Sequence, residues 1–343
     1  MHVSRVAIVC AAAALAAAAT LTQTARADDF YAGKTVSIYV GSGAGGGFDT
    51  YARVVGRRLG AHIPGTPAIK VQNRPGAGGR GNANLVYGSD PQDGTVIGAL
   101  GPWLALEPLW GEKSVRFDPP KFNWLISLGR EVSTCLFFNQ SGVTSIDALR
   151  KKGSVVMGAS GPTTSQASDA YLIAHALGVD LNLIMGFKGS RETVMAAERG
   201  ELDGNCGLWY SSLQSQYIGY VNDGRATLLL QLGLRAHPKL PDVPFLFDVA
   251  QLSDLDRKAM ELVFVQMELA RPYVAGPQVP QERVAILRKA FADMAQDENF
   301  LADTKKLNLE VDVVTGDEIQ KLLADAYSQP KEVVDRAREL IKR

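Results

Sequence analysis

The chain has 343 residues, with 36 lysine and arginine side chains balanced by 36 aspartate and glutamate, and 46% of it is hydrophobic. That hydrophobic share excludes a disordered chain, and zero net charge leaves no basic face for nucleic acid and no polybasic membrane signal. Three cysteines are too few for a disulfide scaffold or a zinc ribbon, and the length predicts two domains.

The chain opens with Arg5, an apolar run over 6–20 and Ala25-Arg26-Ala27, the layout of an export signal cleaved after Ala27. The run is too short for a membrane span, and no later segment approaches the length of one. Cys10 is not a lipoprotein cysteine, because Val9 stands where a small residue is needed. The expected product is therefore an exported protein of residues 28–343, with Cys135 and Cys206 either disulfide-bonded or buried as two thiols. Export weighs against ATP- and NAD-dependent enzymes and toward secreted hydrolases and solute-binding proteins.

Val36–Val40 reads as a strand rich in β-branched residues, and 49–60 as a helix with Asp49 at its N-cap and Gly60 at its stop. A strand at 69–72, a helix at 80–87 and a strand at 95–100 complete a β-α-β-α-β order, which predicts a parallel sheet with helices on its faces. A second set follows, with strands at 134–139, 155–159, 183–187, 202–208 and 227–232 and helices at 145–152, 165–177 and 192–199. Helices are expected again at 281–296, 300–306 and from Gly316 to the C-terminus. No flexible linker separates the sets, so the two halves are expected to share hinge strands.

The segment Gly41-Ser42-Gly43-Ala44-Gly45-Gly46-Gly47-Phe48-Asp49 lies between a strand and a helix. Glycine lets a ligand approach the main chain, and the free N–H groups of the next helix attract an anion. Five glycines in the seven residues 41–47 exceed what a tight turn needs. The pattern formally matches a dinucleotide fingerprint, but the second strand ends in Gln72-Asn73-Arg74, without the acid that ribose requires. A second cluster, Asn73-Arg74-Pro75-Gly76-Ala77-Gly78-Gly79, occupies the equivalent place after the second strand. Ser160-Gly161-Pro162-Thr163-Thr164-Ser165, Phe187-Lys188-Gly189-Ser190-Arg191 and Asn205-Cys206-Gly207 are further strand exits, the first rich in hydroxyls that suit a carboxylate. Arg74 is either a ligand cation or a brace for its loop. Among the aromatics, Trp209 or Tyr210 is a candidate to line a cleft, while Trp103, Trp110 and Trp124 read as core.

Catalytic signatures are weak. Gly158-Ala159-Ser160-Gly161 continues into Pro162, so no nucleophile elbow is present. The histidines of 28–343 are His62, His175 and His237, with no H-E-x-x-H or C-x-x-C, and no acidic loop resembles a calcium site. No metal and no cofactor are expected.

The motifs together resemble the extracytoplasmic solute receptors of the tripartite tricarboxylate transporters, the Bug receptors. The resemblance rests on strand-GGG-x-D-helix at 44–49, V-x-N-R-P-G-A-G-G at Val71–Gly79, D-G-[YT] at Asp93-Gly94-Thr95, Phe187-Lys188-Gly189 in place of Y-K-G, and L-P-D-V-P at Leu240–Pro244. It implies an α/β, bilobal type II periplasmic binding protein fold with two crossover strands. Lobe one would comprise 28–128 plus 245–343 and lobe two 129–244. It implies a monomeric periplasmic receptor, not an enzyme, that closes on a small carboxylate and delivers it to membrane permease subunits. A ligand sensor without transport is the alternative, and a secreted hydrolase the more remote one. The resemblance nominates Ser42, Gly43, Ala44, Gly46, Phe48 and Asp49 on lobe one, and Ser160, Thr163, Thr164, Gly189 and Asn205 on lobe two. Where the family reads P-F-A, this chain has Gly41-Ser42-Gly43; Phe48 replaces a Thr or Ser, and Gln166–Ser168 replace a loop histidine. Arg130, not expected from the family, is either the partner of a distal carboxylate or a surface residue.

Overall fold

The computed structural model describes residues 30–341, apart from 112 and 163. The expected export signal and Thr163 lie outside the described residues.

The first sheet has the order β11-β4-β10-β3-β1-β2. Its strands are β1 (Thr35–Val40), β2 (Ala68–Asn73), β3 (Val96–Ala99), β4 (Asn123–Ser127), β10 (Pro272–Ala275) and β11 (Val314–Thr315). β1 pairs in parallel with β2 and β3, as the β-α-β-α-β reading predicts. β10 then adds antiparallel to β3 and β4, so the sheet is mixed. Val36, Ile38 and Val40 alternate inward along β1, the period of a strand with one face on the core. Helix α1 (Gly47–Arg58) covers that face with Tyr51, Ala52, Val54 and Val55, all fully or nearly fully buried. Helix α2 (Arg80–Gly88) follows β2.

The second sheet has the order β7-β6-β8-β5-β9. Its strands are β5 (Ser133–Phe138), β6 (Ser154–Ala159), β7 (Asp180–Met185), β8 (Gly204–Trp209) and β9 (Ala226–Leu232), with helices α3 (Ile146–Lys152), α4 (Ser165–Leu177) and α5 (Ser190–Glu198) between them. β6 is parallel to β7 and β8, and β5 is antiparallel to β8 and β9. Cys135 and Cys206 are joined by a disulfide between neighbouring strands β5 and β8, which resolves the two readings of that pair. Gly207 beside it has φ +73, and a Cβ there would stand 2.4 Å from the Gln166 nitrogen, so only glycine lets β8 meet the start of α4.

The fold is thus α/β and bilobal. Helices α6 (Asp254–Phe264), α7 (Gln281–Gln296), α8 (Glu298–Lys306), α9 (Gly316–Tyr327) and α10 (Lys331–Leu340) complete it. Three expectations need correction. The strand expected at 183–187 is β7, which is pinned earlier by pairing of Ser154 with Asp180. The last helix is two, because Pro330 removes a backbone donor and breaks it. Neither sheet borrows a strand from the other: the chain leaves β4 for β5 through 128–132 and reaches β10 through a helical turn at Val265–Leu269.

The Leu240–Pro244 motif has a structural task. The buried Gln231 amide at the end of β9 donates to the Leu240 and Val243 carbonyls at 3.0 and 2.7 Å, fixing the return of the chain.

Candidate functional site

A cavity of about 720 Å³ lies between the two sheets, bordered by the strand-exit loops of both. From the first sheet come the loop after β1 and the Pro75–Gly79 loop after β2. From the second come Ser160, Thr164–Gln166, Gly186–Glu192 and the end of β8 with Trp209 and Ser212. This is the carboxyl edge of the parallel strands, where ligands bind in open α/β sheets.

The two sides touch through glycine. Gly43 N–H donates to the Lys188 carbonyl at 3.4 Å. A Cβ on Gly161 would lie 3.1 Å from the Gly78 nitrogen, and one on Gly78 2.8 Å from the Thr164 methyl. These glycines permit an approach of main chain to main chain that larger residues would obstruct.

The loop after β1 is held from behind by Asp49, which is 2% exposed. Its Oδ2 accepts from Gly45 N–H (2.8 Å) and Arg53 Nε (2.9 Å), and its Oδ1 from Asn73 Nδ2 (2.8 Å). Asn73 also donates to the Ser42 carbonyl at 3.0 Å, so the two glycine loops share one brace. Burial by itself would raise the Asp49 carboxyl, but the bonds from Arg53, Gly45 and Asn73 outweigh it and hold the group below its ordinary range. Asp49 therefore supports the loop and does not border the cavity. The N–H groups opening α1 lack intrahelical partners, and Gly46, Gly47 and Phe48 line the cavity at that point. Ser42 lines it too, with a buried hydroxyl that has no partner within the described residues.

On the opposite side Gln166 takes the bracing part. Its Oε1 accepts from Ser160 N–H at 3.1 Å, and its Nε2 donates to Thr193 Oγ1 (2.9 Å) and Asn205 Oδ1 (3.3 Å). Thr164 commits its hydroxyl proton to the Gly161 carbonyl, and Ser165 its own to Gln266. Asn205 is fully buried behind Gln166 and does not border the cavity.

Of the residues singled out from sequence, Ser42, Gly43, Ala44, Gly46, Phe48, Ser160, Thr164 and Gly189 are brought together around the cavity. Asp49 and Asn205 stand one layer back. Arg130 is elsewhere: its guanidinium meets Asp312 at 2.9 Å, Glu318 at 3.5 Å and Glu268 at 3.6 Å. With three carboxylates already around it, Arg130 is a structural cation and is not among the cavity residues. Arg74 braces its loop as well, pairing with Asp90 at 2.7 Å and stacking on Tyr39.

Sequence reasoning missed Trp103 and Ser212. Trp103 lines the cavity, donates to the Gly78 carbonyl at 2.8 Å and meets Phe48 edge to face at 5.4 Å. It lies just past the β3 exit, a position that could have flagged it beside the other strand exits. Ser212 accepts from Arg271 at 3.2 Å while bordering the cavity. Arg271 is buried behind the floor, paired with Glu131 at 3.1 Å and with its guanidinium 4.7 Å from the Phe48 ring. Trp209 forms part of the wall, whereas Tyr210 turns to stack on His237.

A serine-histidine-acid triad is not assembled around Ser160: His175 faces Asp256 at 3.5 Å, His62 faces Asp297 and His237 faces Glu310. Among the described residues no helix is long and apolar enough to cross a membrane.

No protein-family model and no curated protein matches the sequence. Solved structures match in fold. The periplasmic binding protein BugD aligns with a TM-score of 0.72 at 19% identity, over 90% of this chain and 98% of that one. A protein of R. palustris solved with adipate aligns at 0.70 and 18% identity, over 89% and 97%. MatC from Rhodopseudomonas palustris, with bound malate, aligns at 0.68 and 17% identity, over 90% and 99%. BugD is a periplasmic binding protein, and the architecture this chain shares with it is the one that the resemblance implies.

Proposed function

We infer that the chain is an extracytoplasmic solute receptor of the tripartite tricarboxylate transporter type, which captures a small carboxylate between its lobes and releases it unchanged. The observation that carries this reading is the cavity of about 720 Å³ bordered by glycine-rich strand exits from both lobes. Its polar inventory suits an acid: main-chain N–H groups at the opening of α1, the free Ser42 hydroxyl, and the hydroxyls of Ser160 and Ser212. Phe48, Trp103 and Trp209 supply apolar wall for the carbon skeleton. Bound carboxylates in two fold neighbours support the same ligand class.

Ser42, Gly43, Ala44, Gly46, Phe48, Ser160, Thr163, Thr164 and Gly189 form the ligand shell, with Asp49 and Asn205 behind it. The lobes are 28–128 with 245–343, and 129–244. Binding works by hinge closure, since a ligand touching both lobes favours the arrangement in which they meet. The receptor acts in the periplasm after removal of residues 1–27, as a monomer, and docks on membrane permease subunits. A disulfide within lobe two accords with an oxidising compartment.

Calorimetry against mono-, di- and aromatic carboxylates tests the reading. At least one acid is expected to bind saturably at one site and be recovered intact. Failure of every acid to bind, or recovery of a transformed solute, would overturn it.

A further inference from the structure

A second pocket of about 430 Å³ is lined by Gly45, Thr50 and Leu307 from lobe one and by Ser215, Gln216 and Tyr217 from lobe two. Arg191 borders both spaces. It projects from the first turn of α5 across to lobe one, where a Cβ on Gly45 would stand 2.6 Å from its Nη1. The missing side chain at Gly45 is what admits the guanidinium.

Arg191 differs from the other cations nearby. Lys188 is paired with Glu192, Arg271 with Glu131, and Arg130 lies outside the cavity among three carboxylates. Among the described residues, no carboxylate lies within ion-pair distance of Arg191. Gln216 adds a second donor: its Nε2 is buried without a partner at the second pocket. It sits on a π-helical turn, Leu213–Tyr217, a distortion that frequently marks a working site. The hydroxyls of Thr50 and Ser215 donate to the Gly46 and Ser211 carbonyls, so they do not compete as donors. What faces this space is one unpaired guanidinium, one unpaired amide and the unpartnered hydroxyl of Tyr217, a donor set for an anion.

We propose that Arg191, helped by Gln216, reads a second acidic group on the ligand, so that the receptor selects diacids over monoacids of equal length. The inference rests on the carboxylate-receptor reading. The first carboxylate lies on the glycine loop and the second reaches the guanidinium at the mouth. Loss of the second group leaves Arg191 with water, which costs affinity without abolishing binding.

The test is calorimetric titration of the full exported chain with matched pairs: malate against lactate, succinate against butyrate, adipate against hexanoate. For the pair that binds best, the diacid is expected to be tighter by about tenfold or more. Arg191→Met should bring the diacid to the level of its monoacid and leave the monoacid within about twofold, with Gln216→Ala intermediate. Equal weakening of both acids by Arg191→Met would assign it to holding the lobes together and overturn the specificity role. An unchanged ratio would do the same while sparing the receptor reading. Absence of binding by any of the six acids to the native chain, with none found in the wider panel, would overturn both.

Discussion

On the first-lobe rim of the cleft the glycine loop is held by charge: a buried carboxylate, Asp49, gathers Gly45, Arg53 and Asn73 onto its two oxygens. On the second-lobe rim the equivalent loop is held by a neutral amide, Gln166, bonded to Ser160, Thr193 and Asn205. Asp49 stands behind main chain that must stay open toward a ligand, whereas Gln166 braces its loop while itself bordering the cavity. The difference is in what their removal exposes. Taking away the buried carboxylate leaves the Gly45 and Asn73 donors without their acceptor and releases the half-exposed Arg53 from the loop, so the two glycine loops lose their common brace, whereas taking away the amide frees neutral groups on one loop.

The largest effect is therefore expected at Asp49. Asp49→Ala should weaken the best carboxylate ligand about a hundredfold, roughly 3 kcal/mol, in a calorimetric titration. Gln166→Ala should cost about tenfold, or about 1.4 kcal/mol. A larger loss at Gln166 than at Asp49 would break the comparison.

The two lobes should also answer pH in opposite directions. The Asp49 carboxyl is held below 3.8, so its contribution is complete above that value and is lost as pH falls through its depressed native pKa. Affinity should stay level from neutral to mildly acidic conditions and fall only in strong acid. Beneath lobe two, burial pushes the Asp169 carboxyl up to about 7, against hydrogen bonds from Ser133 and Ser168 that lower it. Between 3.8 and about 7 the native protein keeps that proton and the unfolded chain releases it, so stability declines as pH rises through this window and is level above it. Thermal melts across the range should show the decline in the native protein and a flattened profile in Asp169→Asn. The smallest effect is expected at Arg130, where Arg130→Ala should change ligand affinity by less than about twofold and stability by under about 1 kcal/mol, because its ion pairs are partly exposed.

What the sequence made legible was local. Runs of glycine between a β-branched strand and an amphipathic helix announce a backbone site through residue type alone, and Ser42, Gly43, Ala44, Gly46, Gly47, Phe48, Ser160 and Thr164 do line the cavity. What it hid was distant. Arg130 at a crossing between lobes resembles a ligand cation until Asp312, 182 residues away, is seen beside it. Asn205-Cys206-Gly207, read as a strand exit, lies at the start and middle of β8, a strand buried along its whole length, so Asn205 faces the interior at the end away from the cavity-lining Trp209. β10 and β4 complete the first sheet through antiparallel pairing across far-separated segments, and Pro272–Ala275 is too short a run to declare itself. Asp49, read as the N-cap of its helix, stands inside the first turn, because α1 begins at Gly47 with Gly46 as its cap; its carboxylate accepts instead from Gly45 and, across the loop, from Asn73.

Gly161 and Gly78 meet with bare α-carbons facing, leaving no interlocking residues to unpick at that seam. Separation of the halves there disturbs little besides van der Waals touch, so in the proposed receptor modest forces would suffice to part them. An alanine at 161 would act as a doorstop: the methyl would prop the jaws apart, preserving each half while weakening their hold on whatever lies between them.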